Sequence, residues 1–333
     1  MKKETGLIME KDSGRIIFLN SVYTHNIWGG SRLSDEFNAP VKASDLGECW
    51  GISAHENGDC RVAEGPYSGL KLSELWKLKP GLFGNETESL NNSIKDEFPL
   101  LVKIIDAKED LSIQVHPGDS FADEYENHSF GKTECWYVLD CPENAGLIIG
   151  HNASSTEEMI EMIDEKRWGE FLREVPVKKG DFIQIDPGTV HAIKKGFVIL
   201  ETQQSSNITY RLYDYDRTEK GRKRELHTEK CKKVIKTPSK EPAECIISAE
   251  KLKSPDNTLD VMYAGMYYSV FKMEVRGDAF LEQKYRFLNV TVTDGMGSVD
   301  GHIVKKGQSF ILPYKYGVAH FEGSMELIAS AMR

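Results

Sequence analysis

Apolar and polar residues alternate with a period of two in several short runs of the chain, which predicts β-strands. In the run LSIQVH at residues 111–116, the opposite face of the predicted strand carries Ser112, Gln114 and His116. Three apolar residues are predicted to share the other face and pack in a core: Leu111, Ile113 and Val115. One face of this strand therefore packs, and the other presents groups that can bind a ligand.

A second run with the same period follows a glycine turn and predicts another strand. It places Lys132, Glu134 and Trp136 on one face, with Cys135 and Tyr137 on the other. A carboxylate and an ammonium group therefore share one side of this strand.

A third short strand is predicted in PGTVHAI at residues 187–193, where a Pro-Gly turn precedes His191. A single histidine on a strand is more often a satisfied or exposed residue than a ligand. The combination is more informative, because amide, imidazole and carboxylate groups suit a borderline divalent metal such as zinc. The sequence therefore offers four candidate metal ligands on three strands: Gln114, His116, Glu134 and His191.

Helical spacing of apolar residues interrupts the strands in three places, which we interpret as insertions at about 66–92, 154–175 and 219–235. Ser155 and Glu158 have the spacing of a capping box in the second insertion. The third is rich in charge and is interpreted as a solvated helix whose basic residues have no specific ligand.

The chain contains a weak internal repeat, in which VKKGDFIQIDPGTVHAI at 177–193 resembles VKKGQSFILPYKYGVAHF at 304–321. Many short strands with Gly and Pro turns, few helices and a repeated unit predict a mainly β jelly roll or barrel with two related β-modules. The Pro-rich stretch at 236–244 is the best linker, so we divide the chain into residues 1–235 and 236–333. The second repeat has no QxH or KxE strand before it, and His320 is therefore interpreted as structural.

Composition narrows the function classes. The 333 residues carry 42 basic and 52 acidic side chains, a net charge of −10, which argues against nucleic acid as a partner. A phosphorylated small molecule would bind only where basic residues converge on one pocket. The six cysteines form no CxxC pair, and we find neither a signal peptide nor a membrane span in the sequence. We expect a soluble cytoplasmic protein, monomeric or homodimeric, that does not bind membranes.

Several segments together resemble the type I phosphomannose isomerases, and the shorter bacterial members in particular. The resemblance covers at least residues 20–220, and the order of QxHP, KxE and PGxxH is specific. The segments that carry it are IWGG (27–30), GECWGIS (47–53), FPLLVK, LSIQVHP, GKTECWY, PGTVHAI and NITYRLYDYDR.

This resemblance implies a cupin-type double-stranded β-helix in both modules, with a metal site in residues 1–235 and none in residues 236–333. It also implies zinc-dependent interconversion of mannose 6-phosphate and fructose 6-phosphate through an enediol, with one zinc ion per chain. The family's metal positions match Gln114, His116, Glu134 and His191.

The family's substrate pocket matches further residues of this chain. Lys103, Ser112 and Lys132 correspond to substrate or phosphate contacts, Lys132 also being a catalytic candidate, while Arg211 and Glu201 resemble a catalytic arginine and a pocket acid. Taken alone, Arg211 between tyrosines would be interpreted as a stacked surface residue, and Lys103 as an edge lysine. With Ser112 and Lys132 at pocket-facing positions in the inferred fold, we interpret Lys103 as pointing into a polar cavity. The proton-transferring base is left open between Glu201, a lysine and a metal-bound water.

Two other classes compete with the isomerase. A cupin-type metal oxygenase also uses imidazoles and a carboxylate, but it needs no convergent Lys and Arg. A non-catalytic cupin that binds a sugar phosphate is the alternative we keep, and retention of all four ligands together with Arg211 argues against it.

Overall fold

The computed structural model describes residues 14–85, 97–219, 221–253 and 255–333, and it is built mainly from antiparallel strands, as the sequence predicts. Within these residues the strands are β1 (Ile17–Asn20), β2 (Val22–Gly30), β3 (Leu46–Ile52), β4 (Ala54–His55), β5 (Gly58–Asp59), β6 (Arg61–Val62), β7 (Leu100–Asp106), β8 (Ile113–Val115), β9 (Glu134–Asp140), β10 (Gly146–His151), β11 (Leu172–Pro176), β12 (Phe182–Ile185), β13 (His191–Ala192), β14 (Val198–Gln204), β15 (Tyr210–Tyr213), β16 (Thr218–Glu219), β17 (Arg222–Lys223), β18 (Ile246–Ile247), β19 (Asp260–Ala264), β20 (Tyr268–Glu282), β21 (Leu288–Val299), β22 (His302–Lys305), β23 (Ser309–Leu312) and β24 (Val318–Met332). The helices are α1 (Arg32–Asp35), α2 (Leu72–Leu78), α3 (Asp119–Tyr125), α4 (Thr156–Asp164), α5 (Trp168–Phe171), α6 (Thr228–Val234) and α7 (Pro242–Cys245), with a 3-10 turn at Pro80–Phe83.

Two sheets pack against each other around one apolar core. The seven-stranded sheet has the order β18-β12-β9-β14-β7-β3-β2, and the five-stranded sheet has the order β11-β10-β13-β8-β15. Ile105, Trp136 and Ile183 from the first sheet share this core with Leu147 and Ile149 from the second. The other face of the five-stranded sheet is covered by helices α4, α5 and α6.

A third, eight-stranded sheet has the order β19-β20-β24-β21-β23-β1-β6, with β22 paired to β21. It packs on the outer face of the seven-stranded sheet through residues such as Val270 and Ile311. Strand pairing crosses the predicted division between residues 235 and 236 at two places. Strand β1 pairs with β23, and β18 pairs with β12, so hydrogen bonds join the two parts. The division itself stays a prediction.

The repeat seen in the sequence has a counterpart in the sheets. We call β12-β9-β14-β7 the first ladder and β23-β21-β24-β20 the second ladder, since their strands have the same spatial order. Each contains a KKG turn whose glycine has a positive φ, 87° at Gly180 and 90° at Gly307. The two glycine amides donate to the carbonyls of Val138 and Val292, each at 2.8 Å.

The two ladders also share their register. One row across the first ladder consists of Ile183, Trp136, Glu201 and Lys103. The matching row across the second consists of Phe310, Val290, Ala329 and Phe271. At the next position on the same face, Glu134 pairs with Ile185 and Leu288 pairs with Leu312. Polar residues of the first ladder therefore have apolar counterparts in the second.

Strand β8 is shorter than the alternation predicts. Ile113 and Val115 face the cluster beneath the helices, as expected. Leu111 precedes the strand and packs in the core between the two sheets. The prediction that it shares a face with Ile113 and Val115 is therefore wrong. The alternation holds only where the backbone is a regular strand, and here that begins at Ile113.

The helical insertions are shorter than predicted. The first comprises α2 and the 3-10 turn as far as Phe83, and positions 86–92 lie outside the described residues. In the second, the Ser155 hydroxyl accepts a bond from the Glu158 amide at the start of α4, but Leu172–Pro176 is a strand paired with β10. In the third, the helix is confined to Thr228–Val234, because the β16–β17 hairpin occupies the preceding residues.

All six cysteines are unbridged. Among the described residues, no helix combines the length and apolar character needed to cross a bilayer.

Candidate metal centre and adjoining pocket

Three buried residues bring their ligand atoms together at one end of the core between the sheets. His116 directly follows β8, and His191 begins β13, so both come from the five-stranded sheet. Glu134 begins β9 of the facing sheet. Their ligand atoms all lie within 4.8 Å of one another. The predicted alternation is confirmed here, since Glu134 and Trp136 face inward while Cys135 and Tyr137 face the outer core.

The spacing of these atoms fits a single divalent ion. The Nε2 atoms of His116 and His191 are 3.1 Å apart, and they lie 3.4 and 3.3 Å from the Glu134 carboxylate oxygens. Ligands held at about 2.1 Å around one tetrahedral ion are separated from each other by about 3.4 Å. Glu134 Oε1 is also buried without a hydrogen-bond donor among the described residues.

The electrostatics of the cluster favour the protonation states that a metal requires. The Nδ1–H of His191 can donate to the Thr189 carbonyl at 2.8 Å, which leaves the Nε2 lone pair for the cluster. Burial lowers the pKa of both imidazoles, and with the Lys132 charge it lowers the pKa of His116 to about 3. Burial alone would raise the pKa of Glu134, but Lys132 and His116 hold it well below its ordinary value. Neutral imidazoles and an ionised carboxylate are metal-binding forms.

Gln114, the fourth predicted ligand, lies in the middle of β8. Its backbone pairs with His191 on one side and with Arg211 on the other. Its side chain lines the pocket beside the cluster. The assignment of its amide as a metal ligand stays a prediction.

Lys132 connects the metal-ligand cluster to a buried acid. Its Nζ lies 3.1 Å from His116 Nε2, contacts the Glu134 carboxylate and is 3.5 Å from Glu201 Oε1. The Trp136 indole donates to the other oxygen of Glu201 at 3.1 Å. Lys132 therefore contacts the candidate ligand atoms of His116 and Glu134 directly. A lysine that bound only a distant phosphate would lie farther from the cluster.

Lys103 extends this line of charges on the next strand. Its Nζ is 3.2 Å from Glu201 Oε1 and 2.9 Å from Glu48 Oε1, and the side chain is only 8% exposed. Glu48 is fixed in turn by the indole N–H of Trp50 at 2.8 Å. The pairing explains how a lysine is tolerated within an apolar strand, and it supports the cavity interpretation of Lys103 over the edge interpretation.

The acids along this line have different affinities for protons. Burial and the Glu134 charge raise the pKa of Glu201, although Lys103 and Lys132 oppose them. Burial also penalises ionised Glu48, but Lys103 and the Trp50 hydrogen bond bring its pKa below the ordinary value. Burial opposes the charge on Lys103, yet Glu201 and Glu48 raise its pKa. Glu201 is thus the acid of this group best suited to hold a proton.

A pocket of about 440 Å³ opens above these groups. This volume is within the range of about 300–1,000 Å³ that is usual for small-molecule sites. The structure brings to its walls all the predicted substrate residues: Lys103, Ser112, Lys132, Glu201 and Arg211. Its lining combines cationic, carboxylate and amide groups, which can hydrogen-bond a polar ligand, and its cationic groups suit an anionic substituent.

Arg211 lies on edge strand β15 of the five-stranded sheet, whereas the pocket acids Glu48 and Glu201 lie on β3 and β14 of the seven-stranded sheet. Its guanidinium donates to the Glu225 carbonyl at 2.8 Å, and its backbone amide donates to His227 Nδ1 at 3.0 Å. Burial and the nearby Arg224 lower its pKa. Its Nε is buried without an acceptor among the described residues, so the side chain keeps hydrogen-bonding capacity for a ligand.

Sequence reasoning missed several residues of this site. Arg224 is one of them, because it lines the pocket and donates to Asp214 at 2.8 Å. The expectation that the basic residues of 219–235 have no specific ligand stays a prediction. Glu48 and Trp50 share one face of β3, a signal present in the alternation of GECWGIS. Thr189 contributes its backbone carbonyl, which accepts from His191 Nδ1. Every residue has such a carbonyl, so the sequence gives no sign of this role.

A second group of potential ligands surrounds His320 on the surface of the eight-stranded sheet. Its Nε2 is 2.9 Å from Asp278, and its Nδ1 is 3.9 Å from Glu322. The two acidic side chains are 69% and 53% exposed. These contacts are those of a surface histidine between two acids, and the structural interpretation of His320 stays a prediction.

Two family models match the chain. The catalytic domain of type I phosphomannose isomerase matches residues 16–137, and the cupin domain of mannose-6-phosphate isomerase matches residues 258–332. The predicted cupin-type architecture is thereby confirmed.

Characterised relatives match over almost the whole chain. Mannose-6-phosphate isomerase ManA of Bacillus subtilis is 45% identical over 319 residues, which cover 94% of this chain and 98% of the relative. Mannose-6-phosphate isomerase of Streptococcus mutans is 42% identical, with coverage of 94% and 97%.

Solved structures show a similar overall fold. The crystal structure of mannose 6-phosphate isomerase from Bacillus subtilis is similar with a TM-score of 0.85 and 40% identity, covering 95% of this chain and 99% of that one. A putative mannosephosphate isomerase from Archaeoglobus fulgidus has a TM-score of 0.77 at 21% identity, covering 97% of this chain and 100% of that one, which shows likeness of fold.

Proposed function

The chain belongs to the type I phosphomannose isomerases, and we propose that it interconverts mannose 6-phosphate and fructose 6-phosphate with one bound zinc ion. The observation that carries this proposal is the convergence of His116, Glu134 and His191 beside a pocket with buried lysines and an arginine. A metal-ligand cluster alone would fit many enzymes. The adjacent cationic groups are what favour a phosphorylated sugar.

The reaction moves a proton between C2 and C1 of the open-chain sugar. Zinc, when bound, would supply Lewis acidity that polarises sugar oxygens and stabilises negative charge as the enediol forms. His116, Glu134, His191 and Gln114 would hold the ion. The three clustered residues fit this role because their ligand atoms already converge in metal-binding protonation states.

The remaining residues divide into two groups by position. Lys132 and Glu201 lie next to the metal ligands, where they can hold or move a proton at the reacting carbons. Glu201 is the base we propose, since burial and the Glu134 charge raise its pKa and so make its carboxylate a better proton acceptor than that of Glu48, whose pKa is lowered.

Arg211 and Ser112 lie on the five-stranded side of the pocket, where we propose that they bind the phosphate and position the sugar. Lys103 then acts through its ion pair with Glu201 rather than through a direct phosphate contact. The cytoplasmic location and the monomeric or dimeric state remain our predictions.

The test is an isomerisation assay before and after removal of metal by a chelator. We expect fructose 6-phosphate to form from mannose 6-phosphate, to cease on chelation and to return with zinc. Glucose 6-phosphate and unphosphorylated mannose are the matched controls, and neither should be converted at a comparable rate.

A protein that holds stoichiometric metal but converts none of the three sugars would contradict the proposal. That outcome would favour the non-catalytic sugar-phosphate-binding protein. Activity that survives complete metal removal would contradict the zinc part alone.

A further inference from the structure

Asp119, at the start of helix α3, joins separate segments that carry the metal-site residues. It lies three positions after His116 in the same loop. Its Oδ1 accepts a hydrogen bond from the Gly131 amide at 2.8 Å and another from the Gln204 side chain at 3.0 Å. Gly131 immediately precedes the segment with Lys132 and Glu134, and Gln204 ends strand β14. One carboxylate oxygen therefore ties three segments together.

Backbone contacts repeat these connections. The Lys132 amide donates to the Pro117 carbonyl at 3.0 Å, and the Gly188 amide donates to the His116 carbonyl at 2.9 Å. The Gln204 side chain also accepts from the Thr133 amide at 2.9 Å, through the oxygen that Asp119 does not use. The segments of the three clustered ligands are thus connected in series, and Asp119, three residues after His116, is hydrogen-bonded to the segment that carries Glu134.

Gly131 shows how closely these loops approach each other. A Cβ atom at this position would lie 2.5 Å from both the Asp119 nitrogen and the Gly118 carbonyl carbon. Only glycine fits at this distance. The approach leaves the Gly131 amide facing the Asp119 carboxylate, so this hydrogen bond is set by the backbone.

The second carboxylate oxygen of Asp119 reaches the eight-stranded sheet. Oδ2 accepts a hydrogen bond from the Tyr267 hydroxyl at 2.7 Å. Tyr267 lies in the turn between β19 and β20, remote in sequence from the metal ligands. Burial and the Asp119 contact raise the pKa of this tyrosine to about 12, so it remains a hydrogen-bond donor.

The next residue, Tyr268, begins β20 and makes a similar contact. The Tyr268 hydroxyl donates to the Gln184 side chain at 3.3 Å, and its ring is buried in the outer core beside Cys135. Gln184 pairs with Cys135, the residue after Glu134. Two consecutive tyrosines therefore donate to Asp119 and Gln184, each of which is a neighbour of the segment that carries Lys132 and Glu134.

We propose that Asp119 is a positioning residue for the metal centre, and that Tyr267 makes the metal site depend on the eight-stranded sheet. The inference rests on the proposed metal-binding function, because its consequence is metal retention. Asp119 is not one of the clustered ligands and does not line the pocket. It acts by fixing the relative positions of the His116 and Glu134 segments, as outer partners of metal ligands do.

The experiment compares Asp119→Ala, Asp119→Asn and Tyr267→Phe with the wild-type protein in zinc release to a chelator. We expect release from Asp119→Ala to be faster by roughly 10- to 100-fold, the usual effect of losing an outer partner. Tyr267→Phe loses one hydrogen bond, for which we expect roughly a three- to tenfold effect. Asp119→Asn keeps Oδ1 as an acceptor and should restore most of the retention.

Tyr316→Phe is the matched control, since Tyr316 also donates to an aspartate, Asp300, but on a surface away from the metal ligands. It should release zinc at the wild-type rate. Equal release rates for Asp119→Ala, Tyr267→Phe and Tyr316→Phe would overturn the inference.

Hydrogen exchange in the metal-free proteins separates this inference from the proposed function. Peptides covering 117–134 should exchange faster in Asp119→Ala and Tyr267→Phe than in Tyr316→Phe, because the Gly131 amide loses its fixed acceptor or its support. If the wild-type protein bound no zinc, the proposed function would fail while this difference still supported the positioning role. Unchanged exchange would overturn the positioning role irrespective of metal binding.

Discussion

The first and second ladders have the same strand order and register, but the first has charged residues on its inner face where the second has apolar ones. Where the first ladder has Lys103 and Glu201 in one row, the second has Phe271 and Ala329. Both residues of the second row are buried in an apolar cluster. The fold therefore does not require the polar residues, because an equivalent set of strands closes without them.

The position of Glu134 makes the same point more sharply. Its counterpart is Leu288, which is completely buried. Replacing buried ion pairs by well-packed apolar residues is often neutral or stabilising, whereas an unpaired buried charge is costly. The charged residues of the first ladder are thus explained by function rather than by stability. Each charged side chain needs a partner to remain ionised in the core.

The largest loss of activity is expected when Glu134 is replaced by leucine, the residue found at the matched position of the second ladder. Glu134→Leu should bind no zinc and lose isomerase activity by roughly a thousandfold or more, since metal stabilisation of developing charge contributes several kcal/mol. Metal analysis of the purified protein and initial rates measure the two effects. Leu288→Met, at the matched position, should retain both metal and activity. A Glu134→Leu protein with bound zinc and full activity would refute the ligand assignment.

The next effect concerns stability. Lys103→Met leaves Glu48 and Glu201 buried without the cation between them, so we expect a loss of about 3–5 kcal/mol in the free energy of unfolding. Denaturant titration of metal-free protein measures this loss. Adding Glu201→Gln should recover part of it. If Lys103→Met were as stable as wild type, an apolar residue could replace Lys103 without loss, and the expected dependence of Glu48 and Glu201 on its charge would be wrong.

The smallest effect is a pH dependence. The folded-state pKa of Glu48 is lowered, so its contribution is complete above the ordinary value of about 4.3 and is lost as the pH falls through the lowered value. Glu48→Gln should cost about 1.5–3 kcal/mol at neutral pH, and its difference from wild type should shrink in acid. Unfolding titrations at several pH values measure this difference.

The exposed Glu229, whose side chain is 81% accessible, provides the control for this measurement. Glu229→Gln should change stability little at any pH, because surface pairs contribute little. A Glu48 difference that stayed constant into acid would mean that its carboxylate does not stabilise the fold.

The sequence predicts most of the site because strand alternation determines which residues share a face. It correctly groups Glu134 with Trp136, and it places His116 directly beside the strand that carries Gln114. It does not reveal which strands are neighbours, so the Glu48–Lys103 pair could not be found before β3 was seen beside β7. The pocket position of Arg224 depends on a hairpin that the helical interpretation had excluded.

The fold was predicted in its class, and less well in its boundaries. Leu172–Pro176 continues a helical pattern in the sequence but pairs with β10, because tertiary hydrogen bonding outweighs local propensity. The repeat was recognised from its KKG turns and histidines. The informative correspondence, that of Glu134 with Leu288, required the register of the sheets.

Strand β1 also determines when this protein can finish folding during its synthesis. Ile17 pairs with Ile311, and Leu19 pairs with Val62, so an early strand lies between an early and a very late partner. On the ribosome, the edge of β1 that belongs to β23 must wait for nearly the whole chain to emerge. An unpaired strand edge is a site for aggregation. We therefore expect the unpaired edge of β1 to favour aggregation until β23 has been synthesised.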